Sequence, residues 1–291
     1  MKVLVTGAGG QLGRELLRTA PHAVEAVGLS AGELDITDAA AVEATIAEHR
    51  PAVVVNAAAY TAVDRAETER ERAWAVNADG AGHLAEAVAR HGARLAHVST
   101  DFVFSGELGR AWSPQAPTSP VGEYGASKAA GEARVRSALG EEALIVRTAW
   151  VYAAHGHNFA TTMLRLMTER ERLTVVEDQI GTPTWARGLA EVLWSAVEAG
   201  LTGTHHWTDA GVASWYDFAV AIRDEGAARG LVPAGVEVAP IPGAAWPTPA
   251  RRPPQGVLDK TSLREAVGVE SVHWRAQLAA MLDEYRDARN R

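Results

Sequence analysis

A doubly wound parallel α/β sheet with a smaller C-terminal lobe is the fold class the sequence predicts. Three observations predict it. Short, β-branched apolar runs alternate with helical stretches up to about residue 150, which is the grammar of βαβ units. The first run, Lys2–Thr6, passes directly into Gly7-Ala8-Gly9-Gly10-Gln11-Leu12-Gly13 and then into a helix opening at Arg14. Beyond Trp150 the alternation stops, and amphipathic helices, short strands and proline-rich loops follow.

Each element follows from its residues. Lys2–Thr6 reads as a buried strand. Gly7, Gly10 and Gly13 stand at Gly-x-x-Gly-x-x-Gly spacing. That pattern allows a tight turn, close approach of the backbone to a pyrophosphate, and close helix–strand packing. The helix start then offers free N–H groups to the phosphates. At the strand-to-helix junction of a first βα unit this is a specific signal for a dinucleotide. Residues 24–29 form a second strand, which ends in Leu29-Ser30. That end carries neither an acidic residue for ribose hydroxyls nor an arginine beside it for a 2′-phosphate. NADPH is therefore the expected cofactor, with NADH also usable. Asp38 is a good N-cap for a helix over residues 39–48. Asp35 either reaches the adenine or stands in solvent.

Residues 53–59 are a strand ending in small side chains, which leave room for a ligand at the crevice of an open sheet. Residues 64–72 read as a solvated helix, and Asn77 sits in another running to Arg90. Residues 95–101 are a strand ending in Ser99-Thr100-Asp101. A long aperiodic loop spans 106–120, a length that is often functional. A helix from Tyr124 to Leu139 and the strand Leu144–Thr148 complete the alternation. In the second lobe, helices are expected over 158–169, 185–199, 214 or 215 to 229, and Trp274–Arg289. Strands are expected over 173–176 and 205–207, and residues 239–254 read as ordered, proline-rich loop.

Composition narrows the class. The chain has 291 residues, 47% hydrophobic and 22% charged, as soluble globular domains do. It has no apolar run long enough to span a membrane and no secretory leader at its first residues, so a cytoplasmic location is expected. The absence of cysteine excludes disulfides, thiolate metal sites and a cysteine nucleophile. A net charge of -8 argues against a nucleic-acid surface. An anionic substrate must then find its positive partners locally.

Tyr124 and Lys128 stand four residues apart, so they share one helix face. A nearby ammonium favours the phenolate and is expected to lower the tyrosine pKa. Such a tyrosine gives a proton to a carbonyl oxygen or takes one from an alcohol. The pair alone is a weak signal; its weight comes from the glycine loop before it and the hydroxyls of Ser99 and Thr100 on a neighbouring strand end.

Further segments add to these: Val55-Asn56-Ala57-Ala58-Ala59-Tyr60-Thr61-Ala62-Val63-Asp64, Ser99-Thr100-Asp101-Phe102-Val103-Phe104, Arg147-Thr148-Ala149-Trp150-Val151-Tyr152, Asn158-Phe159, Asp178-Gln179-Ile180-Gly181-Thr182-Pro183-Thr184 and Arg252-Pro253. With the glycine loop and Tyr124-Gly125-Ala126-Ser127-Lys128, they make the chain resemble the extended short-chain dehydrogenases/reductases, whose sheet is Rossmann-like. Along nearly its whole length it resembles the dTDP-4-dehydrorhamnose reductase family.

The resemblance implies catalytic roles for Tyr124 as proton donor, Lys128 and Thr100. It implies cofactor contacts from Gly7, Gly10, Gln11, Leu12, Gly13, Asp35, Ile36, Ala59, Tyr60, Thr61 and Val98, besides Tyr124 and Lys128. It implies substrate contacts from Thr100, Asp101, Trp150, Asn158 and Arg252, to a dTDP-linked 4-keto-6-deoxyhexose. The division it implies is a cofactor domain over 1–150, completed by about 185–209, and a substrate lobe over 151–184 and 210–291. The chain departs from the family in two places. Gly256 stands where relatives usually have Ser, and Tyr60 where many have His. Some relatives dimerise through magnesium held by glutamates; Glu15 and Glu191 match two of these, and no required metal is expected. A monomer or a homodimer is expected, with no nucleic-acid or membrane partner. A dehydratase would carry Glu after Asp101, where Phe102 stands, and a non-catalytic regulatory subunit would not need Thr100, Tyr124 and Lys128 intact.

Overall fold

The computed structural model describes residues 1–107 and 109–290. Leu108, inside the expected loop 106–120, lies outside the described residues.

The first half is built from β1 (Lys2–Thr6), α1 (Gln11–Arg18), β2 (Glu25–Leu29), α2 (Ala39–His49), β3 (Val53–Asn56), α3 (Val63–Ala66), α4 (Arg70–Trp74), α5 (Gly80–His91), β4 (Arg94–Thr100), α6 (Glu123–Leu139) and β5 (Leu144–Thr148). The second contains β6 (Val151–Tyr152), α7 (Phe159–Glu169), β7 (Arg172–Val176), β8 (Ile180–Gly181), β9 (Thr184–Trp185), α8 (Ala186–Glu198), β10 (Gly203–His206), β11 (Ala213–Ser214), α9 (Trp215–Ala228), β12 (Glu237–Ile241), α10 (Thr261–Val267) and α11 (Trp274–Arg289).

Six parallel strands form the central sheet in the order β10-β5-β4-β3-β1-β2. Parallel strands are buried on both faces, which is why they read as unbroken apolar runs. On one face, Leu12 and Leu16 of α1 and Leu189, Val192 and Leu193 of α8 pack on Val3, Val5, Val53 and Val55. On the other, Val42 and Ile46 of α2, Leu84 and Val88 of α5 and Val135 of α6 pack on Leu4, Val54 and Ile145. Fully burying such side chains contributes about 1.5–3 kcal/mol each. The strand order reverses between β1 and β3, the place where open α/β sheets bind ligands.

A second apolar cluster joins α7, α9, α11 and the strand pair β7–β12 through Met163, Leu164, Phe218, Ile222, Leu278 and Met281. Its helices are started by their own sequence. Asn158 before α7 and Ser214 before α9 each form a reciprocal capping box, with Thr161 and Asp217, a device worth about 1 kcal/mol in each helix.

Several expectations are corrected. The solvated stretch 64–72 is two short helices, α3 and α4, broken at Glu67–Glu69, and α4 runs on into a π-helical turn over Ala75–Asp79. Residues 239–241 are not loop: Pro240 lies within β12, which pairs in parallel with β7. A two-stranded sheet is all edge, so the missing proline N–H is tolerated there. Helix α10 carries no strong sequence signal and is held by Leu263 packing into the core. The loop around Trp112 is tied down, since Trp112 N donates to Val257 O at 2.8 Å and its ring stacks on Phe104.

Candidate active site

The glycine loop sits at the strand reversal. Gly7 has a positive φ of 70°, and a Cβ there would lie 2.6 Å from Ala58 N. A Cβ on Gly13 would lie 2.2 Å from Gly7 O. Only glycine fits either place, because α1 and β3 both press against the loop backbone. No side chain caps α1, so its first N–H groups remain available to an anion. A cleft of about 320 Å³ opens there, lined by Gly7, Gly10, Leu34, Asp35, Ala59 and Tyr60 among others. These residues fit a dinucleotide. Asp35 turns its carboxylate back on Thr37 N and Oγ1, at 2.9 and 2.8 Å. Ile36 is buried beneath the cleft. Tyr60 points its hydroxyl outward to Glu69, and its backbone N and O are both bonded by Asn77.

Tyr124 and Lys128 lie on the first turns of α6, facing the end of β4. Gly125 permits this: a Cβ there would lie 2.1 Å from Phe102 O. The Tyr124 ring meets Phe102 edge-on at 5.4 Å. Thr100 Oγ1 donates to Asp101 Oδ1 at 3.0 Å, and both residues are buried. Burial pushes Asp101 up to about 7.

The expected lowering of the Tyr124 pKa by Lys128 is not what this arrangement does. Burial pushes Tyr124 up to about 12, with the Thr100 hydroxyl pulling the other way. Lys128 Nζ donates to Val98 O at 2.7 Å instead of turning to the tyrosine, and desolvation pushes it down to about 8. Behind it, Glu132 is clasped bidentately by Arg147 at 2.8 and 2.7 Å, and Arg147 also reaches Pro114 O. That pair holds Glu132 at about 2.

A second cleft, of about 650 Å³, lies between α7, β7 and the 246–252 loop. Phe159, Trp215, Trp246, Gln179, Arg170 and Arg252 are among its lining residues. Trp150 has a positive φ of 49° and stacks on Trp215 at 3.5 Å, so one of its faces is covered by protein. Arg252 forks onto Asp64 at 2.8 and 2.9 Å. The 178–184 motif supports this loop: Asp178 Oδ1 accepts from Gly243 N, and Ile180 N donates to Pro254 O. A Cβ on Gly256 would lie 2.2 Å from Asp101 Oδ2, so the departure from Ser makes room for that carboxylate. Asn158 is apart from the rest. Its amide nitrogen is committed to Gln11 Oε1 and Ala153 O, and its oxygen caps α7, so it ties the lobe to the glycine loop rather than presenting free polar atoms.

The sequence model described as RmlD substrate binding domain matches residues 1–287. The dTDP-4-dehydrorhamnose reductase of Burkholderia thailandensis is 43% identical over 286 residues, covering 94% of this chain and 96% of that one. The chain belongs to this reductase family. It is also 41% identical to the dTDP-4-keto-6-deoxy-D-glucose reductase of Streptomyces niveus, over 94% of each chain. The solved structure of a dTDP-4-dehydrorhamnose reductase from Bacillus anthracis in complex with NADP has a TM-score of 0.91 and 35% identity, covering 97% of this chain and 99% of that one. As a member of the family, the protein is an NAD(P)H-dependent oxidoreductase with a nicotinamide cofactor.

The two glutamates matched to metal-holding ones, Glu15 and Glu191, are neighbours: burial and then the Glu15 charge push the Glu191 carboxyl up. Glu15 is buried and accepts from His155 Nε2 at 2.9 Å and Arg18 Nε at 3.2 Å, with Arg187 Nε at 3.5 Å. Arg18 and Arg187 also hold Glu284. Among the described residues, no group of three or more acidic or histidine side chains is placed to hold a metal, and no helix is long and apolar enough to cross a membrane. Arg187 belongs to the cluster around Glu15 and is not among the residues lining the aromatic cleft. The reading from sequence missed Trp215, Trp246, Gln179 and Arg170. Trp215 is visible only as a helix start and Gln179 only as part of the 178–184 motif, while Trp246 and Arg170 converge through long-range packing that no local spacing announces.

Proposed function

We propose that the protein reduces the C4 ketone of dTDP-4-dehydro-6-deoxy-L-mannose to dTDP-L-rhamnose, with NADPH preferred and NADH accepted. The observation that carries this reading is the meeting of Tyr124, Thr100, Asp101 and Lys128 beside the end of β4, in a reductase of this family. Bound nicotinamide supplies the hydride. The ketone oxygen gains charge as hydride arrives, and a donor must stand beside it. Tyr124 is that donor. Its raised pKa keeps it protonated at neutral pH, as a general acid must be, and transfer to an alkoxide still runs downhill. Thr100 hydrogen-bonds the reacting oxygen once its hydroxyl turns from Asp101.

Lys128 holds the nicotinamide ribose. The backbone of residues 10–12, with Gly7 and Gly13 giving close approach, takes the pyrophosphate. Asp35 and Ile36 meet the adenine, and Ala59, Tyr60, Thr61 and Val98 the middle of the cofactor. Residues 1–150, with about 185–209, bind the cofactor; residues 151–184 and 210–291 bind the sugar nucleotide. Trp215, backed by Trp150, and Trp246 offer flat apolar surface that suits a hexose. Arg252 meets the sugar-nucleotide phosphates, because a guanidinium fork matches their oxygens.

A second reading, reduction of a related dTDP-4-keto-deoxysugar, is favoured by the Streptomyces niveus relative. Cofactor oxidation followed at its near-ultraviolet absorbance, across a panel of dTDP-4-keto-deoxysugars, decides between the two. The first reading requires the highest kcat/KM on dTDP-4-dehydro-6-deoxy-L-mannose; a higher value on another sugar selects the second.

A further inference from the structure

Thr6, Asn56 and His97 share one register row across β1, β3 and β4. Strands in parallel register present such a row on one face of the sheet. All three are buried, and they form a hydrogen-bonded chain whose direction is fixed by a backbone group. Ala58 N can only donate, and it donates to Asn56 Oδ1 at 3.1 Å. The Thr6 hydroxyl donates to the same oxygen at 2.8 Å. The amide nitrogen of Asn56 therefore faces His97 Nδ1, 3.0 Å away. An amide NH₂ only donates, so Nδ1 is the acceptor and the neutral ring carries its proton on Nε2. Nε2 lies 3.5 Å from Lys128 Nζ.

We propose that His97 is a positioning residue for Lys128: locked as the Nε2–H tautomer, it turns a donor toward the lysine nitrogen and favours the amine over the ammonium. The inference rests on the assignment of Lys128 to the reduction described above. An ammonium has three donors and no acceptor. One is satisfied by Val98 O, but the side toward His97 offers nothing to receive another. The amine has a lone pair there that takes the Nε2–H, and hydrogen bonding to the neutral form disfavours the charged one. Burial acts in the same direction on Lys128, and it holds His97 well below its usual pKa, so the ring stays neutral.

The other charged groups near Lys128 do not replace His97. On α6, Tyr124 lies a turn before and Glu132 a turn after, and Glu132 is bound by Arg147 of β5 and by Arg136. Asp101, after β4, faces Tyr124 and Thr100. The π-helical turn contributes Asn77, bonded to Ser127, and Asp79, paired with Arg134 at the surface.

The test uses the chain's low lysine content. Lys2, Lys128 and Lys260 are its only lysines, so each can be titrated by NMR in protein carrying carbon-13 lysine, with Lys128→Met assigning the resonance. His97→Asn keeps an acceptor for Asn56 and removes the donor to Lys128. The Lys128 midpoint should then rise by about one pH unit. His97→Gln restores an N–H at the Nε2 position and should bring the midpoint back toward the parent. An unchanged midpoint in His97→Asn, or an equal rise in both variants, overturns the proposal. Nitrogen-15 histidine spectra of the unaltered protein give a test that needs no variant: a neutral His97 protonated on Nε2 supports it, and protonation on Nδ1 overturns it. Neither measurement needs sugar or cofactor, so a failure here is distinct from a failure of the proposed reaction.

Discussion

The cofactor cleft and the aromatic cleft are built in different ways. The first draws its key residues from one βα unit and the ends of its neighbouring strands: Gly7, Gly10 and Gly13 with Ala57 to Tyr60. Its shape depends on missing atoms, since a single Cβ at Gly13 would sit 2.2 Å from Gly7 O. The second draws on residues from Phe159 to Arg252, spread over two helices, a strand and a long loop. Its shape depends on large side chains meeting, as Phe159 and Trp215 do at 4.6 Å. A backbone cradle fails at one atom; an aromatic wall fails gradually. Tyr124 lines neither cleft but lies buried beside the end of β4, and as the proposed acid it should cost more to alter than either wall.

The largest expected effect is therefore at Tyr124. Tyr124→Phe keeps the ring and its edge contact with Phe102 but removes the proton, so turnover should fall by roughly 10²–10⁴ with folding and cofactor binding retained. Thr100→Val should cost less, and Lys128→Met should harm both turnover and cofactor affinity. Steady-state kinetics with cofactor titration of the purified variants checks all three. If folded Tyr124→Phe stays within a few-fold of the parent, the acid lies elsewhere, and buried Asp101 becomes the first candidate.

The cradle comes next. Gly13→Ala inserts an atom into backbone, and overpacking costs about 1–3 kcal/mol. Cofactor affinity should fall by about ten- to a hundredfold, while the Michaelis constant for the sugar nucleotide stays near the parent's. Fluorescence titration with NADPH, beside kinetics, separates the two; an unaffected cofactor affinity would show that the loop yields and that the cradle is less exacting than its contacts indicate.

The wall should respond least. Arg252→Ala should raise the sugar-nucleotide Michaelis constant by about tenfold, the lower end for a hydrogen bond to a charged group, because Arg252 is already shared with Asp64. The cofactor constant should be unchanged. An unaffected sugar-nucleotide constant removes Arg252 from the site.

The same difference explains what was legible in the sequence. The cradle, β1, α1 and the Tyr124–Lys128 face are local: each depends on residues within a turn or two, and spacing alone exposes them. The wall is not local. Pro240 read as loop because its pairing partner, β7, lies more than sixty residues away in the chain. Trp246 carried no pattern at all, and α10 is set by the packing of Leu263. Electrostatics was the least legible. Lys128 four residues after Tyr124 suggested a lowered tyrosine pKa, but burial raises it, and the lysine is occupied by Val98 O. Two positions in sequence report a shared face; they do not report desolvation.

The central claim is that hydride passes to C4 of a dTDP-linked 4-keto sugar while Tyr124 protonates the oxygen. The most direct measurement uses NADPH carrying deuterium at the transferable position of its nicotinamide ring, with dTDP-4-dehydro-6-deoxy-L-mannose as substrate and proton NMR of the product. The account predicts dTDP-L-rhamnose labelled at C4 alone, with the label absent when Tyr124→Phe replaces the parent over the same incubation. Deuterium at another carbon, or sugar converted without loss of label from the cofactor, would contradict it.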